Sequence, residues 1–238
     1  WDAGDSDPAS NTNGSITTTV KSSGDFAVIS YTGNGTASAT LGHSLSAAPD
    51  FVIVKNRSTD STNWNIWGNG TNFTRFGQFG TQSERTDTQY HPTMGSTTIT
   101  LPSTNDGAWN TSSDNYIMYA WRNVSGKQQF GTYTGQANET LGFRPGFIMI
   151  KNATDDGTDW VMYDATRNPL GGTSILRANL SNSEATETVT ITSNGFTTGT
   201  GSYVGATGKK YIYAAWAGSY PDFITDVNTT GSITSRVK

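Results

Sequence analysis

The feature that most constrains this chain is an internal repeat. The segment from Tyr31-Thr32-Gly33 to Pro49-Asp50-Phe51-Val52-Ile53-Val54-Lys55-Asn56 returns as Tyr133-Thr134-Gly135 to Pro145-Gly146-Phe147-Ile148-Met149-Ile150-Lys151-Asn152. Asn56 and Trp64 are followed in step by Asn152 and Trp160, and each copy closes on a similar run, Tyr116-Ile117-Met118-Tyr119-Ala120-Trp121 or Tyr211-Ile212-Tyr213-Ala214-Ala215-Trp216. Similarity at a fixed spacing means that one supersecondary unit is used twice. A second, longer repeat joins the ends, where Gly14-Ser15-Ile16-Thr17-Thr18-Thr19-Val20-Lys21 reappears as Gly231-Ser232-Ile233-Thr234-Ser235-Arg236-Val237-Lys238. Trp1 precedes its copy of this motif as Trp216 precedes the other, so Trp1 reads as the closing residue of a preceding unit and the chain as one period of a longer array.

Each copy is built from strands. Phe26, Val28 and Ser30 alternate with Ala27, Ile29 and Tyr31, and similar runs follow at 51–55, 64–67, 97–101 and 116–121. Between them lie Asx-Gly dipeptides, Asn34-Gly35, Asn69-Gly70, Asp106-Gly107, Asp156-Gly157 and Asn194-Gly195, which close hairpins because both residues tolerate positive φ. Composition agrees: 39 Thr, 25 Ser, 27 Gly and 19 Asn favour half-exposed strands and tight turns over helices. The expected fold is all-β, with two tandem antiparallel β-sandwich modules of jelly-roll type. Residues 1–23 and 219–238 are linkers, and 24–125 and 126–218 are the modules; one duplicated jelly roll with a single shared core is the alternative.

Leu, Ile, Val and Phe are scarce, but at net charge −4 and 11% aromatic content the chain has neither the self-repulsion nor the ring-poor composition of a disordered segment. The absence of Cys removes disulfides, thiolate metal sites and thiol nucleophiles. Lys and Arg are scattered, so no basic stripe marks a nucleic-acid or lipid surface, and no apolar run is long enough to cross a bilayer as a helix. Nucleic acid and membrane insertion are not expected.

Tyr-Thr-Gly, Leu41-Gly42-His43, Pro49 through Arg57, Gly142 through Phe147, Tyr163 through Pro169 and Ser193-Asn194-Gly195-Phe196 carry a family likeness. In these residues the chain resembles repeat modules of uncharacterised tail-fibre-like and other virion structural proteins of tailed, often marine, bacteriophages. The resemblance implies a location at a virion surface or outside the cell. It implies as partners copies of the chain itself, a homotrimer among the arrangements, and neighbouring virion or fibre proteins. It brings no catalytic or binding residue with it, and it leaves Gly77 to Pro102 without a counterpart in the second copy.

Candidate sites are few. His43 and His91 lack the spacing of a triad or a zinc site and are read as loop residues. Asp155, Asp156 and Asp159 with Asp164 form the densest acidic group, but their spacing fits no calcium loop, so no metal or cofactor is expected. No pair of acids is singled out for glycoside hydrolysis. Trp64, Trp121, Trp160 and Trp216 recur between copies and are assigned to the core. Trp67 and Tyr163 lie an odd number of positions from Trp64 and Trp160 and therefore face the other way. With Trp109, which has no counterpart, they are the candidate contacts to a partner or a sugar ring. The expected role is a structural and adhesive repeat without enzymatic activity, with host-glycan binding as the alternative.

Overall fold

Runs of β-branched and aromatic residues bounded by Gly, Asn and Ser fold into antiparallel strands throughout. The computed structural model describes residues 2–60, 62, 64–68, 83–84, 86–104, 107–168 and 172–218, and the backbone of two further strands near the C-terminus. The first half contains β1 (Ala9–Asn11), β2 (Thr18–Ser22), β3 (Phe26–Thr32), β4 (Thr40–Gly42), β5 (Phe51–Asn56), β6 (Asn65–Gly68), β7 (Thr93–Met94), β8 (Thr98–Thr100) and β9 (Asn115–Trp121). The second contains β10 (Gln128–Thr134), β11 (Asn138–Thr140), β12 (Pro145–Asn152), β13 (Trp160–Asp164), β14 (Gly172–Arg177), β15 (Ala185–Thr192), β16 (Gly195–Thr198) and β17 (Lys210–Ala217). A terminal hairpin is formed by β18 (Ile224–Val227) and β19 (Ile233–Arg236).

The first half forms a six-stranded sheet, β1-β2-β3-β9-β5-β6, and a small one, β4-β8-β7. In the second, one continuous sheet runs β10-β17-β12-β13-β14-β15-β16-β11, with β14 pairing both β13 and β15. The pairings correspond strand for strand: β3-β9-β5-β6 matches β10-β17-β12-β13, and β4-β8-β7 matches β11-β16-β15. Residues 1–23, expected as a linker, instead extend the first sheet through β1 and β2, and Ile16 and Val20 are buried in its core. Ile233 and Val237, their counterparts, lie outside the described side chains, as does Trp1.

Each half encloses its own apolar cluster. In the first, Val52 and Val54 of β5 and Tyr116, Met118 and Ala120 of β9 meet Leu41 and Ile99 of the small sheet. In the second, Ile148, Ile150, Tyr211 and Tyr213 meet Val189, Ile191 and Phe196. A third cluster lies between the halves and was anticipated by neither sequence reading: Phe26, Phe51, Ile53, Ile66 and Trp121 pack on Phe130, Met149, Trp160, Ile212, Ala214 and Trp216. The two large sheets thus lie face to face at the centre, with the β4-β8-β7 and β11-β16-β15 layers outside. At the seam, Phe51 and Phe130 stack with centroids 5.1 Å apart, and Trp121 meets Trp216 edge-on at 6.0 Å. A buried aromatic side chain removes roughly 150–250 Å² from water, or about 4–6 kcal/mol of gross stabilisation per ring.

The seam reverses the expected sides of the sheets. The parity holds, because Val52 pairs with Trp67 and Ile148 with Tyr163 on one face, while Trp160 lies on the other. The face of Trp67 and Tyr163 is the inner core of each half, and the face of Trp160, Trp121 and Trp216 is the seam. Trp121, Trp160 and Trp216 are buried as expected, but Trp64 is not a core residue: it keeps 37% of its surface exposed and stacks on Tyr119 with centroids 6.3 Å apart. In the second half Trp160 is flanked by the strand that follows, beyond whose end the Ala178 N–H donates to the Trp160 carbonyl at 2.9 Å.

The region from Gly77 to Pro102, read from sequence as having little counterpart, does contain β7 and β8, which match β15 and β16, and its residues 83–84 help to fasten the halves. The Glu84 N–H donates to the Ala153 carbonyl (2.7 Å), the Ser83 N–H donates to Asp156 Oδ1 (2.7 Å), and Lys210 pairs with Glu84 at 2.8 Å. Gly68 lies close at the same seam, where an added Cβ would fall 2.5 Å from Ile212 Cδ1 and make that side chain shift. Replacing Trp160 by Ala is expected to cost about 3–5 kcal/mol in urea unfolding, the scale of a buried indole lost to a cavity, and Trp64→Ala clearly less. Equal losses at the two positions would contradict the asymmetric seam.

Candidate functional site

The polar residues that recur between the halves are Lys and Asn at the end of β5 and β12 and Tyr at the start of β9 and β17, and they form one repeated network. Lys55 Nζ donates to the Asn56 and Thr62 carbonyls at 2.7 and 2.8 Å, and Lys151 Nζ donates to the Asn152 carbonyl and Thr158 Oγ1 at the same two distances. Asn56 Oδ1 accepts the Ser58 N–H and its Nδ2 donates to Asp114 and Tyr116; Asn152 Oδ1 accepts the Thr154 and Asp155 N–H groups and its Nδ2 donates to the Ser202 carbonyl. The Tyr116 hydroxyl donates to the Gly107 carbonyl and accepts the Thr111 N–H, as that of Tyr211 donates to Ser202 and accepts Ala206. These groups satisfy loop backbone, which explains their recurrence without any chemistry on a ligand.

The contact residues expected from sequence are all interior. Trp67 is 6% exposed, Trp109 2% and Tyr163 fully buried. Trp109 sits in a polar loop, yet that loop is drawn over the core. Asn110 Nδ2 donates to Asn34 Oδ1 and the Thr36 carbonyl, and the Trp109 carbonyl accepts the Tyr31 hydroxyl at 2.8 Å. Tyr163 donates its hydroxyl to the Glu187 carbonyl at 2.8 Å. None of the three is placed to stack on a sugar or on a partner.

The acids are separated in the same way. Asp155 pairs with Lys209 (2.6 Å), Asp159 with Arg177 (3.1 Å) and Asn179, and Asp164 with Arg167. Among the described residues no three metal-ligating side chains converge. His43 is buried; its Nδ1 accepts the Leu45 N–H, so Nε2 carries the proton it shares with the Gly95 carbonyl at 3.1 Å, and burial pushes its pKa down. It is a neutral structural residue, replaced by Phe143 in the second half.

Among the described residues, an accessible apolar trough of about 430 Å³ runs along the seam, walled by Trp64, Tyr119, Trp121, Phe147, Met149 and Met162. Its walls are apolar and offer contact area, not proton transfer. Sequence reasoning missed it because Trp64 repeats at the spacing of a buried Trp.

A family model described as a domain of unknown function (DUF7483) matches residues 1–220. The chain belongs to that family. No curated protein and no solved structure matches it. The DUF7483 match spans both halves together with β1 and β2, so the paired sandwich lies within the family's span.

The interior of this DUF7483 chain makes a two-sided prediction about pH. Burial pushes Lys151 down to about 8 against the opposing pull of Asp159, Asp156 and Asp155. Between that value and the ordinary lysine value of about 10.4, the unfolded chain holds a proton that the folded chain has released, so stability rises with pH. Burial acts oppositely on phenols and raises Tyr31, Tyr133, Tyr163 and Tyr213. Above about pH 10 the unfolded chain ionises first and stability falls. Urea midpoints should climb from pH 8 toward 10 and then drop, with Lys151→Met flattening the climb and leaving the drop. A midpoint insensitive to pH in both windows contradicts this.

Proposed function

We propose that this chain is a non-enzymatic structural and adhesive repeat of a virion surface appendage such as a phage tail fibre. The observation that carries the reading is the seam: two like units are fused through apolar sheet faces, the way repeats in an array bury surface only against neighbours. The resemblance of the repeated segments to virion modules supports the location. The commitment of recurrent Lys, Asn and Tyr side chains to loop backbone supports a scaffold. Its partners are then copies of itself and adjoining appendage proteins. Electron microscopy of particles labelled with antibody against this chain should place the label on surface appendages. Label confined to the host cytoplasm, or release of reducing ends from host polysaccharide by the purified chain, overturns the proposal.

A second reading, recognition of a host surface glycan, passes from Trp67, Trp109 and Tyr163 to Trp64, the aromatic with exposed area beside the trough. Retention on a glycan array that Trp64→Ala abolishes supports it, and retention unchanged by that substitution removes it.

A further inference from the structure

The stretch that sends Ile16 and Val20 into the first core also presents a polar face. Because side chains alternate as this stretch runs into β2, Ile16, Thr18 and Val20 are buried while Thr17 and Thr19 are exposed. Thr19 lies opposite Ser30 of β3, and Thr32, two residues further on, lies opposite Asn115 of β9. Arg57, just past the end of β5, is fixed beside Asn115: its N–H donates to the Asn115 carbonyl at 2.7 Å, and the Asn115 N–H donates to Ser58 Oγ at 2.8 Å. Thr17, Thr19, Ser30, Thr32, Asn115 and Arg57 line a hollow of about 180 Å³. It lies on the face of β3 that carries Phe26 to the seam.

The second half repeats the backbone of this corner and not its side chains. There the Ala153 N–H donates to the Lys210 carbonyl and the Lys210 N–H donates to Thr154 Oγ1, both at 2.8 Å, so Ala153 stands for Arg57 and Lys210 for Asn115. Lys210 pairs with Glu84, the Glu84 N–H covers the Ala153 carbonyl, and among the described strands none lies on the outer side of β10 as β2 lies beside β3. The hollow thus arises where the copies differ, and its side chains are not those that support the loops of both.

Its polar groups are open. Among the described residues, the Arg57 guanidinium and the hydroxyls of Thr17, Thr19 and Ser30 have no hydrogen-bond or ion-pair partner. Thr32 donates its hydroxyl to Asn115 Oδ1 at 3.0 Å, which leaves the amide's Nδ2 to donate outward. By contrast, Arg122, Arg167 and Arg177 are each paired with an Asp. Asp114, beside Asn115 in sequence, accepts from Asn56 Nδ2 at 2.7 Å, and none of the residues lining the hollow is acidic. An arginine fork in a hollow without acids suits a carboxylate or another oxyanion. The hydroxyls add a second requirement. On paired strands they stand about 5–7 Å apart, within reach of different hydroxyls of one sugar ring but not of a bare anion held at Arg57. The volume, below the roughly 300–1,000 Å³ of a drug-sized pocket, suits a single ring.

We propose that this hollow binds a single uronic-acid residue of a surface polysaccharide, with Arg57 taking the carboxylate and Asn115, Thr19 and Ser30 the ring hydroxyls. This rests on the adhesive reading above and gives it a ligand class, at a place lined by other residues than the Trp64 trough.

The test titrates the full chain with D-glucuronate, and in parallel with D-glucose and sodium sulfate, while NMR follows backbone and side-chain N–H shifts. Glucuronate should shift Arg57 Nε–H and the Asn115 side-chain amide saturably, with a dissociation constant on the order of 1 mM for so small a ligand. Glucose, which lacks the charge, and sulfate, which lacks the ring, should each bind about tenfold more weakly or worse. Arg57→Gln should weaken glucuronate about tenfold and leave the melting temperature at the parent value, because the guanidinium has no partner in the fold. Should that variant melt lower, Arg57→Lys, which keeps the charge and loses the fork, is read in its place and should weaken glucuronate too. Thr19→Val with Ser30→Ala should weaken glucuronate and leave sulfate unchanged. Sulfate or glucose bound as tightly as glucuronate overturns the proposal, as do absent shifts at Arg57 and Asn115, or an affinity that either the Arg57 or the hydroxyl variant leaves unmoved. The titration and the antibody label are independent: binding without label on appendages removes the location alone, and label without binding removes the hollow alone.

Discussion

The burial of two large antiparallel sheets on both faces governs this structure. An antiparallel sheet with one wet face alternates apolar and polar residues, whereas one covered on both sides must be apolar at successive positions. β5 and β17 meet that demand: Phe51 and Ile53 face the seam while Val52 and Val54 face the inner core, and Ile212, Ala214 and Trp216 alternate with Tyr211, Tyr213 and Ala215. The outer layers, wet on one face, revert to alternation, as in β15, where Val189 and Ile191 are buried between exposed or half-exposed threonines. The scarcity of aliphatic residues is thus resolved by concentrating them, with the aromatics, in the central strands.

The strand content and the pairing of the two copies were legible in the sequence, because period-two patterns and Asx-Gly turns are local signals. The parity of Trp67 and Tyr163 against Trp64 and Trp160 was legible for the same reason. Which face was interior was not. Side-chain alternation fixes opposition but not direction, and direction depends on what lies above the sheet, here another sheet some ninety-five residues away in sequence. Trp109 was misplaced for a related reason, since its polar neighbours mark a loop, and the bond that turns the loop inward joins Asn110 to Asn34, 76 residues away in sequence.

The polar side chains divide by the same geometry. Lys151 is fully buried beside the seam, whereas its counterpart Lys55 is partly exposed beside Trp64. Both lysines donate to the carbonyl of the following Asn, with the second bond going to the Thr62 carbonyl in one half and to Thr158 Oγ1 in the other, and burial pushes Lys151 down to about 8. Repetition of sequence has therefore preserved much of the network but not its burial, which follows from the covering layer.

Gly68 against Ile212, and Glu84 against Lys210, key one half to the other. A half exchanged with a relative by recombination would have to carry a surface cut to the same shape and charge, and one that arrived alone would leave Phe51, Ile53, Trp121 and their partners open to water. The heritable unit is then the pair. Crossovers that fall outside both sandwiches, within the polar stretches before β1 or after β17, exchange a working block, and those near residue 125 divide one.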